Sequence, residues 1–399
     1  MSKTNWQTLR FDQIAHNIAE RIEPTEADVD IYVGLEHLDP ESLKIRRWGT
    51  PEDVKGTKLR FYKGDIIFGR RRAYQRKLAV AEFDGICSAH AMVLRANEEN
   101  VLPEFLPFFM QSDTFFDRAL QISVGSLSPT INWKTMARQE FTLPPKAEQR
   151  RIADILWAAD EVIQKKTSVV EKLWVLRQST IDHFFPEPSQ SPTPDKRVVL
   201  QDIVQMQNGR AYPSKDYSED GIRLLRPGNL GKDGYFDWAE DVTRYLPKEY
   251  IESASKYLIL PGDVVINLTA QSLEDGFMGR VCMARDGEYC LLNQRIGRFV
   301  CDESILPEYL YRSLQTKRFR ILVETWCEGS KIKHLYWQHL ADFSIVLPPL
   351  KKQKQVIEKI RLIDENIARA QKNYEETVYL QYSLRENLLT GKEDTPDVQ

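Results

Sequence analysis

The sequence predicts an α+β protein with two tandem mixed α/β domains and two long helices of coiled-coil character. A strand-like apolar run, the triplet Leu-Pro-Pro and the charged start of a long helical pattern occur twice, at 143–145 and 347–349, 204 positions apart. The apolar positions of both helical patterns share one heptad register. Together these observations indicate an internal repeat.

The repeat extends well beyond these triplets. Leu-Pro-Glu at 102–104 recurs at 306–308, Gly-Ser at 125–126 recurs at 329–330, and Trp133 recurs as Trp337. The run Lys-Gly-Asp-Ile-Ile at 63–67 resembles Pro-Gly-Asp-Val-Val at 261–265, at an offset of 198, so one insertion or deletion separates the copies. Several matches in the same order indicate a tandem duplication.

The two long helical patterns carry an apolar seam. In the second copy the seam steps by alternating intervals of four and three residues from Val356 to Leu388, and the same register in the first copy runs from Ile152 to Phe184. A period of 3.5 residues over more than about 25 residues predicts a coiled coil. The alternative is an ordinary amphipathic helix packed on its own domain.

Each domain is predicted to hold a compact, mostly antiparallel β unit, because short β-like runs alternate with Gly and charged residues. Helices are predicted at 11–21, 102–120 and 306–324. Pro145 marks a helix start, and four prolines exclude a helix from the linker. The predicted segments are a first domain (1–145), a first long helix (146–185), a Pro-rich linker (186–196), a second domain (197–349), a second long helix (350–391) and a disordered tail (392–399).

Composition excludes several classes of protein. The net charge is −3, and 42% of the residues are hydrophobic, so cores can form but the average charge does not indicate nucleic acid. The five cysteines include no Cys-x-x-Cys, which favours reduced thiols over disulfides or a zinc site. With no apolar run near 18 residues and no signal-peptide pattern, we expect a soluble, cytoplasmic protein.

No catalytic motif is present in the sequence. It contains no Gly-x-x-x-x-Gly-Lys, Gly-x-Gly-x-x-Gly, His-Glu-x-x-His or Gly-x-Ser-x-Gly pattern, and the six histidines lack metal-ligand spacing. We therefore expect no catalytic residue, no metal site and no cofactor in this chain.

A basic segment in the first domain is the strongest indication of a partner. Residues 44–77 contain twelve Lys and Arg residues and three acids, and the run 69–77 concentrates the charge between two strands. Lys and Arg contact phosphates, whereas Arg, Lys, Gln and Asn read base edges. The segment thus predicts contact with DNA; the alternative is a solvated basic hairpin.

The equivalent loops of the second domain are polar rather than basic, and each of their residues, taken singly, suits a turn or cap better than a base contact. Taken with the basic segment, they give a set of predicted DNA-binding residues. These are Arg46, Arg47, Lys58, Arg70, Arg71, Arg72, Tyr74, Gln75, Arg76, Lys77, Ser128, Thr130, Asn208, Arg210, Tyr212, Arg226, Asn229, Asn267, Thr269, Gln271, Lys331, Lys333 and His334.

These motifs resemble the specificity subunit of type I restriction–modification systems over nearly the whole chain. The resemblance rests on the duplicated Leu-Pro-Pro-x-x-x-Gln-x-x-Ile/Val segments (143–152, 347–356), the Gly-Asp strand starts, the run at 221–230 and the Gly-Ser to Trp passages (125–133, 329–337). The second Gly-Ser loop lacks the small, polar, Pro-containing run that such loops often have.

The resemblance implies a non-catalytic subunit with two target-recognition domains that read double-stranded DNA at a gapped, bipartite site. It implies that the long helices pair antiparallel about a pseudo-twofold axis and set the gap. Pairing their midpoints, Lys166 and Ala370, would place Arg177 beside Glu358. It further implies two methyltransferase subunits docked on the helices, restriction subunits in the full complex, and S-adenosylmethionine, ATP and Mg²⁺ on those partners.

Two other functions remain open from the sequence. One is a stand-alone nuclease or methyltransferase with an unfamiliar site. The other is a coiled-coil scaffold with two protein-binding modules.

Overall fold

The structure, a computed structural model, describes residues 5–190, 195–273, 276–327, 329 and 332–390. The predicted tail at 392–399, the predicted last residue of the second long helix, Gly391, and linker residues 191–194 lie outside the described residues. The chain divides into two compact units: unit 1 comprises Met1–Thr167 with Lys372–Gln399, and unit 2 comprises Ser168–Gln371.

Unit 1 combines short strands and short helices with parts of the two long helices. Its strands are β1 (Gln7–Arg10), β2 (Ala15–Ile18), β3 (Arg21–Ile22), β4 (Tyr32–Val33), β5 (Lys58–Phe61), β6 (Ile66–Gly69), β7 (Leu78–Val80), β8 (Gly85–Cys87), β9 (Ala91–Ala96) and β10 (Glu140–Leu143). Its short helices are α1 (Phe11–Ile14), α2 (Leu106–Gln111), α3 (Asp113–Gln121) and α4 (Trp133–Met136). The long helix α5 (Lys146–Phe184) begins directly after Pro145.

Unit 2 repeats most of this order and adds further short elements. Its strands are β11 (Lys196–Val199), β12 (Val204–Asn208), β13 (Ile222–Leu225), β14 (Tyr245–Leu246), β15 (Leu258–Ile259), β16 (Val264–Asn267), β17 (Thr269–Ala270), β18 (Val281–Met283), β19 (Cys290–Leu292), β20 (Ile296–Cys301), β21 (Lys333–His334) and β22 (Ser344–Leu347). Its short helices are α6 (Leu200–Ile203), α7 (Tyr250–Ser253), α8 (Pro307–Ser313), α9 (Lys317–Trp326) and α10 (Trp337–Leu340). The second long helix is α11 (Leu350–Thr390).

The sheets of the two units confirm two repeats of mixed helix and strand content. Strand order β2-β9-β6-β7 in unit 1 matches β12-β20-β16-β18 in unit 2, and β1-β10 matches β11-β22. Ile66 lies opposite Leu94 as Val264 lies opposite Phe299, so the register is repeated too. Pairing is mostly antiparallel, with one parallel pair in each unit, β4 with β8 and β13 with β19.

The second four-stranded sheet differs between the units at its edge. In unit 1 its order is β3-β5-β8-β4, and in unit 2 it is β14-β13-β19-β15. Three consecutive strands correspond, β5-β8-β4 in unit 1 and β15-β19-β13 in unit 2. The fourth strand joins β5 in unit 1 but joins β13, the counterpart of β4, in unit 2, so the two sheets are extended at opposite edges.

Aromatic side chains build the core of unit 1. Phe105, Phe108, Phe109, Phe115 and Phe116 are all buried. They form one apolar cluster with Ile152 and Leu156 of α5 and Leu389 of α11. Each long helix therefore contributes apolar side chains to the core of this unit.

Three helix predictions were wrong in their extent. The predicted helix at 11–21 ends at Ile14, because Ala15–Ile18 extends and pairs with β9. The predicted helices at 102–120 and 306–324 are each split. Ser112 and Thr316 adopt extended backbone and accept hydrogen bonds from Phe115 N and Phe319 N, so each ends one helix and caps the next.

A buried glutamine explains the repeated Leu-Pro-Pro-x-x-x-Gln segment. Gln149 is 1% exposed; its Oε1 accepts from Leu102 N at 2.8 Å, and its Nε2 donates to the carbonyls of Asn100 (3.0 Å) and Pro144 (2.9 Å). Gln353 makes the same three bonds in unit 2. The side chain ties the start of each long helix to the loop before α2 or α8.

Contacts between the long helices correct the predicted register. In unit 1, Lys166 Nζ donates to the carbonyl of Asn373 (3.0 Å) and to Thr377 Oγ1 (2.6 Å). In unit 2, Arg177 Nε lies 2.6 Å from Asp364 Oδ1, so the prediction that placed Arg177 beside Glu358 was wrong. Asp364 also pairs with the buried Arg312, at 2.6 Å. The partner of Arg177 is thus set by charges that the tertiary fold brings together, which a heptad pattern does not encode.

Candidate nucleic-acid interface

A pair of loops meets at the end of β6 in unit 1. Residues 70–72 follow this strand and lie against the loop at 124–130. Arg71 and Thr130 form an antiparallel bridge, Arg72 N donates to Pro129 O at 2.8 Å, and Ile131 N donates to Arg70 O at 3.0 Å. We call this arrangement the unit 1 loop frame. Its backbone is held by several hydrogen bonds, so its side chains project from a fixed support.

A tight turn with two residues of left-handed backbone follows this frame. Arg72 and Arg76 have φ of 56° and 50°, in the left-handed region that non-glycine residues seldom adopt, and they bracket a 3-10 turn at Ala73–Gln75. Arg76 anchors the turn through ion pairs with Glu41 (2.5 Å) and Asp113 (2.9 Å). Arg71, Arg72 and Tyr74 remain exposed, while Gln75 is half-buried.

Several predicted DNA-binding cations are engaged inside unit 1 instead. Arg76 also donates to the carbonyl of Gln111, and Lys77 Nζ donates to the carbonyl of Leu35 at 2.8 Å. Lys58 is buried and donates to two backbone carbonyls. Because these bonds leave fewer N–H groups free to contact phosphates, the roles of the three side chains are structural.

Two further arginines of the predicted set are at the surface with polar partners. Arg47 pairs with Asp39 at 2.6 Å, and Arg46 donates to Gln164 of α5 at 2.8 Å. Exposed pairs of this kind contribute little to stability and exchange readily for other partners. Both side chains therefore stay accessible.

Arg71 links the frame to a histidine. Its Nε donates to Ser128 Oγ at 2.8 Å, and its Nη1 lies 3.3 Å from His90 Nε2. Because an arginine can only donate, Nε2 is the acceptor in this contact. Burial, with the charges of Arg71 and Arg70, lowers the pKa of His90 below its ordinary value. A neutral ring at this position keeps Arg71 aimed along the frame.

Arg70 lines a small cavity next to the frame. The cavity, of about 180 Å³, is bordered by Asn17, Arg21 and Trp133 among other residues. Arg70 is half-buried and donates to the carbonyl of Ala89 at 3.1 Å. Its guanidinium thus lies at the wall of the cavity, inward of Arg71 and Arg72.

Unit 2 contains the same frame with other side chains. The pairing of Thr269 with His334 corresponds to that of Arg71 with Thr130, and Leu335 N donates to Leu268 O at 3.0 Å as Ile131 N does to Arg70 O. We call this the unit 2 loop frame. Thr269, Lys333 and His334 are half-buried on it, and Gln271 is exposed beside it. The predicted site residue Lys331 lies outside the described residues.

Three of the predicted DNA-binding residues of unit 2 are buried. Asn267 Nδ2 donates to the carbonyls of Thr269 and Phe277, both at 2.9 Å. Asn229 accepts from Arg226 N and donates to the carbonyl of Asp237, which closes its own turn. Tyr212 packs in an apolar cluster. Burial gives these side chains structural roles, since a base could not reach them without rearrangement.

The other predicted residues of unit 2 are accessible. Asn208 is exposed at the end of β12, opposite Gly297. Arg210 is exposed, with its guanidinium 5.4 Å from the centre of the Tyr212 ring. Arg226 is half-buried at the head of the turn that Asn229 closes. Arg210 and Arg226 are thus the arginines of the predicted set that unit 2 presents.

Comparison with known proteins identifies the family. Residues 51–172 and 195–376 match the sequence model of the type I restriction modification DNA specificity domain, and together they exceed half of the chain. The chain belongs to this family. One copy of the specificity domain falls in each half, consistent with the repeat of fold and loop frame.

Relatives within the specificity-subunit family share modest identity with this chain. The MjaVIII specificity subunit of Methanocaldococcus jannaschii is 25% identical over 282 residues, which are 67% of this chain and 65% of that subunit. The match thus spans slightly less than two thirds of that relative's length.

Solved structures show the same fold. A chain from a structure of the type I R-M system, concerned with complex assembly and conformational transition, is 20% identical, with 97% and 98% of the two chains covered and a TM-score of 0.61. The S subunit of a type I restriction–modification system from M. genitalium is 14% identical, with 96% of each chain covered and a TM-score of 0.53.

Sequence reasoning missed a row of rings beside the unit 2 loop frame of this specificity-family chain. His334 stacks on Tyr336 with centroids 6.1 Å apart, Tyr336 meets His339 at 5.6 Å, and His339 stacks on Trp326 at 6.3 Å. Trp326 and Tyr336 are exposed. The sequence His-Leu-Tyr-Trp-Gln-His at 334–339 was the available signal, since aromatic faces suit stacking on bases.

Among the described residues, no group of three or more His, Cys, Asp or Glu residues is arranged to hold a metal ion. Burial raises the pKa of the thiols of Cys87, Cys282 and Cys290. No described helix has the length and apolar character needed to cross a membrane.

Proposed function

We propose that this chain is the DNA sequence-specificity subunit of a type I restriction–modification complex, in which each repeated domain reads one part of a bipartite, gapped DNA site. The observation that carries the proposal is the loop frame. The same backbone pairing occurs once in each unit, with Arg71 and Arg72 in one and Thr269 and Lys333 in the other. The same backbone pairing with different side chains suits a DNA site whose two parts differ in sequence.

Arg71 and Arg72 are proposed to contact DNA from the unit 1 loop frame. A protein that loses a phosphate contact should lose roughly 0.9 from the slope of log affinity against log salt concentration. We expect Arg71→Ala with Arg72→Ala to flatten the slope by up to about 1.8. Arg10→Ala is the matched control, since Arg10 is also exposed and paired, with Asp12, but lies outside the predicted DNA-binding set. An unchanged slope in the double variant would contradict the assignment.

The reading role is tested by mapping methylated sites in DNA from cells that carry the complete system. The expected result is one bipartite sequence with a fixed gap. Arg71→Gln should relax base preference in one half of that sequence and leave the other half as it was. Relaxation in both halves would contradict one domain per half-site.

The two long helices are proposed to pair as an antiparallel coiled coil that sets the gap. The contacts of Lys166 with Thr377 and of Arg177 with Asp364 support opposite chain directions. One heptad inserted at Lys166 and another at Tyr374 keeps the apolar seam in phase and adds roughly 10 Å, or about three base pairs. We expect the mapped gap to lengthen by up to that amount with both half-site sequences retained. Methylation at the original spacing alone would contradict the spacer role.

Methyltransferase subunits are proposed to dock on exposed apolar pairs that recur along these helices. Val175 on α5 and Tyr379 on α11 are 204 positions apart and each 70% exposed, and each is followed by an exposed leucine, Leu176 and Leu380. Exposed apolar side chains at equivalent repeat positions favour two copies of one partner. Restriction subunits would then join the complex.

Docking is tested by co-purification with the methyltransferase subunit and measurement of mass. Leu176→Lys or Leu380→Lys should reduce two bound methyltransferase subunits to one, and the double variant should bind none. Lys165→Ala is the control, because Lys165 is exposed on α5 and pairs only within its helix with Glu161. Two bound subunits in the double variant would place docking elsewhere.

The chain is proposed to lack catalysis of its own. The purified chain with DNA, S-adenosylmethionine and Mg²⁺ should neither methylate nor cleave, and activity under these conditions would favour a stand-alone enzyme. A coiled-coil scaffold would show no salt-dependent DNA affinity even with methyltransferase partners present. Salt-dependent binding therefore separates the specificity subunit from the scaffold.

A further inference from the structure

Leu127 is unusual among the apolar side chains of unit 1. It is 93% exposed at the tip of the loop at 124–130. Its neighbours are Gly125, Ser126, Ser128 and Pro129, so no adjacent apolar side chain shields it. A single exposed leucine on a surface is ordinary. Its position on the loop that contacts the segment of the proposed DNA-contacting arginines makes this one informative.

The loop that carries Leu127 is held in place. Val124 and Thr130 exchange two backbone hydrogen bonds, of 3.0 and 2.9 Å, which close the loop into a tight hairpin. Gly125 has φ of 114°, a conformation open to glycine, and lets the chain reverse there. Arg72 N donates to Pro129 O, which joins the hairpin to the unit 1 loop frame. The leucine is thus presented on a fixed projection.

Two consecutive arginines lie next to the projection. Arg71 bonds to Ser128 Oγ, one residue from Leu127, and Arg72 is exposed on the adjoining strand segment. DNA-bending proteins combine these features: basic residues grip the phosphates while an apolar side chain enters between base pairs and partly unstacks them. An apolar tip alone would not favour DNA, but an apolar tip beside two arginines proposed to contact phosphates does.

We propose that Leu127 is an apolar wedge that enters the base stack at the half-site read by unit 1 and opens one base step. This inference rests on the proposed DNA-specificity function and adds a means of recognition that needs no hydrogen bond to a base. Pyrimidine–purine steps such as TA and CA unstack most easily, so the wedged step should be one of these.

The repeat makes the proposal asymmetric. By the offset of 204, the position of Leu127 corresponds to Lys331, a charged residue. A lysine cannot serve as an apolar wedge. Unstacking is therefore expected in the half-site of unit 1 and not in that of unit 2.

The test uses the full chain bound to its methyltransferase partner, and a duplex of about 30 base pairs that carries the mapped site. 2-Aminopurine, which fluoresces more when unstacked, replaces one base at a time across both half-sites, except at the adenines that become methylated, because a methyltransferase flips its target base out of the stack. Wild-type protein should raise the fluorescence at least twofold at one step in the first half-site. Leu127→Ser should abolish that rise, whereas Leu127→Met should retain it. Val124→Ala, at the base of the same hairpin, is the control.

Three outcomes would overturn the wedge. The first is an equal fluorescence rise with Leu127→Ser, and the second is an equal rise in the second half-site. The third is an affinity loss on replacing thymine by uracil with no fluorescence rise at any step, which would make Leu127 a contact to a thymine methyl group. Failure of the proposed function is distinguishable, because it would remove salt-dependent duplex binding by the wild-type protein itself.

Discussion

Replacing Gln149 by alanine tests the repeated junction between strand, proline pair and long helix. The change removes three hydrogen bonds, from Leu102 N and to the carbonyls of Asn100 and Pro144. Each bond contributes about 0.5–1.5 kcal/mol net, so the loss is about 3 kcal/mol. That figure corresponds to a roughly 150-fold change in the local opening equilibrium. Gln353→Ala should have the same effect in unit 2, because its three bonds are equivalent.

Hydrogen exchange followed by mass spectrometry measures this opening directly. We expect peptides that span 100–106 to exchange roughly 100-fold faster in Gln149→Ala, and those that span 304–310 to do so in Gln353→Ala. Gln149→Glu should be at least as unstable, since its carboxylate keeps the acceptor but turns an oxygen towards two carbonyls. Gln355→Ala is the control for Gln353→Ala, since Gln355 is exposed on the same helix, α11. Wild-type exchange in both alanine variants would refute the reasoning.

Three further predictions concern charged groups. Arg312 is fully buried between Glu308 and Asp364, so Arg312→Met should lower the free energy of unfolding by about 3–5 kcal/mol in a urea titration. Arg76→Ala should lower the melting temperature while the salt slope of DNA binding stays unchanged, because Arg76 is engaged internally. The folded state holds the pKa of His90 below the ordinary value of about 6.5. Between these two pKa values, His90 therefore binds fewer protons in the folded chain than in the unfolded chain. The contribution of His90 to stability is full above about pH 6.5 and is lost as the pH falls towards the folded pKa. His90→Asn should remove this pH dependence of the free energy of unfolding. A dependence that remains in the variant would belong to another group.

The predicted site survives in part, for a physical reason. Arg71, Arg72 and Tyr74 are exposed as an interface requires, whereas Asn229 and Asn267 are buried. The sequence identifies residue types that can contact DNA, but the same amide can close a turn. Which role it takes depends on whether the fold brings carbonyls within hydrogen-bond reach of it.

The repeat, the long helices and their apolar seam were readable from the sequence, because each depends on spacing along the chain. Proline at 145 and at 349 marks a helix start, and a 3.5-residue period marks a seam, whatever surrounds them. The sequence motifs also sufficed for the family resemblance that the domain matches later supported.

Only the tertiary structure decided partners that are distant along the chain. Ala15–Ile18 became a strand because β9 offered it a ladder of hydrogen bonds, which overrode its helical pattern. Arg177 pairs with Asp364 because the fold gathers that carboxylate with the buried Arg312. Sequence spacing determines where a helix can begin and which of its faces is apolar. The pairing of charges and strands depends on distances that exist only once the chain has folded.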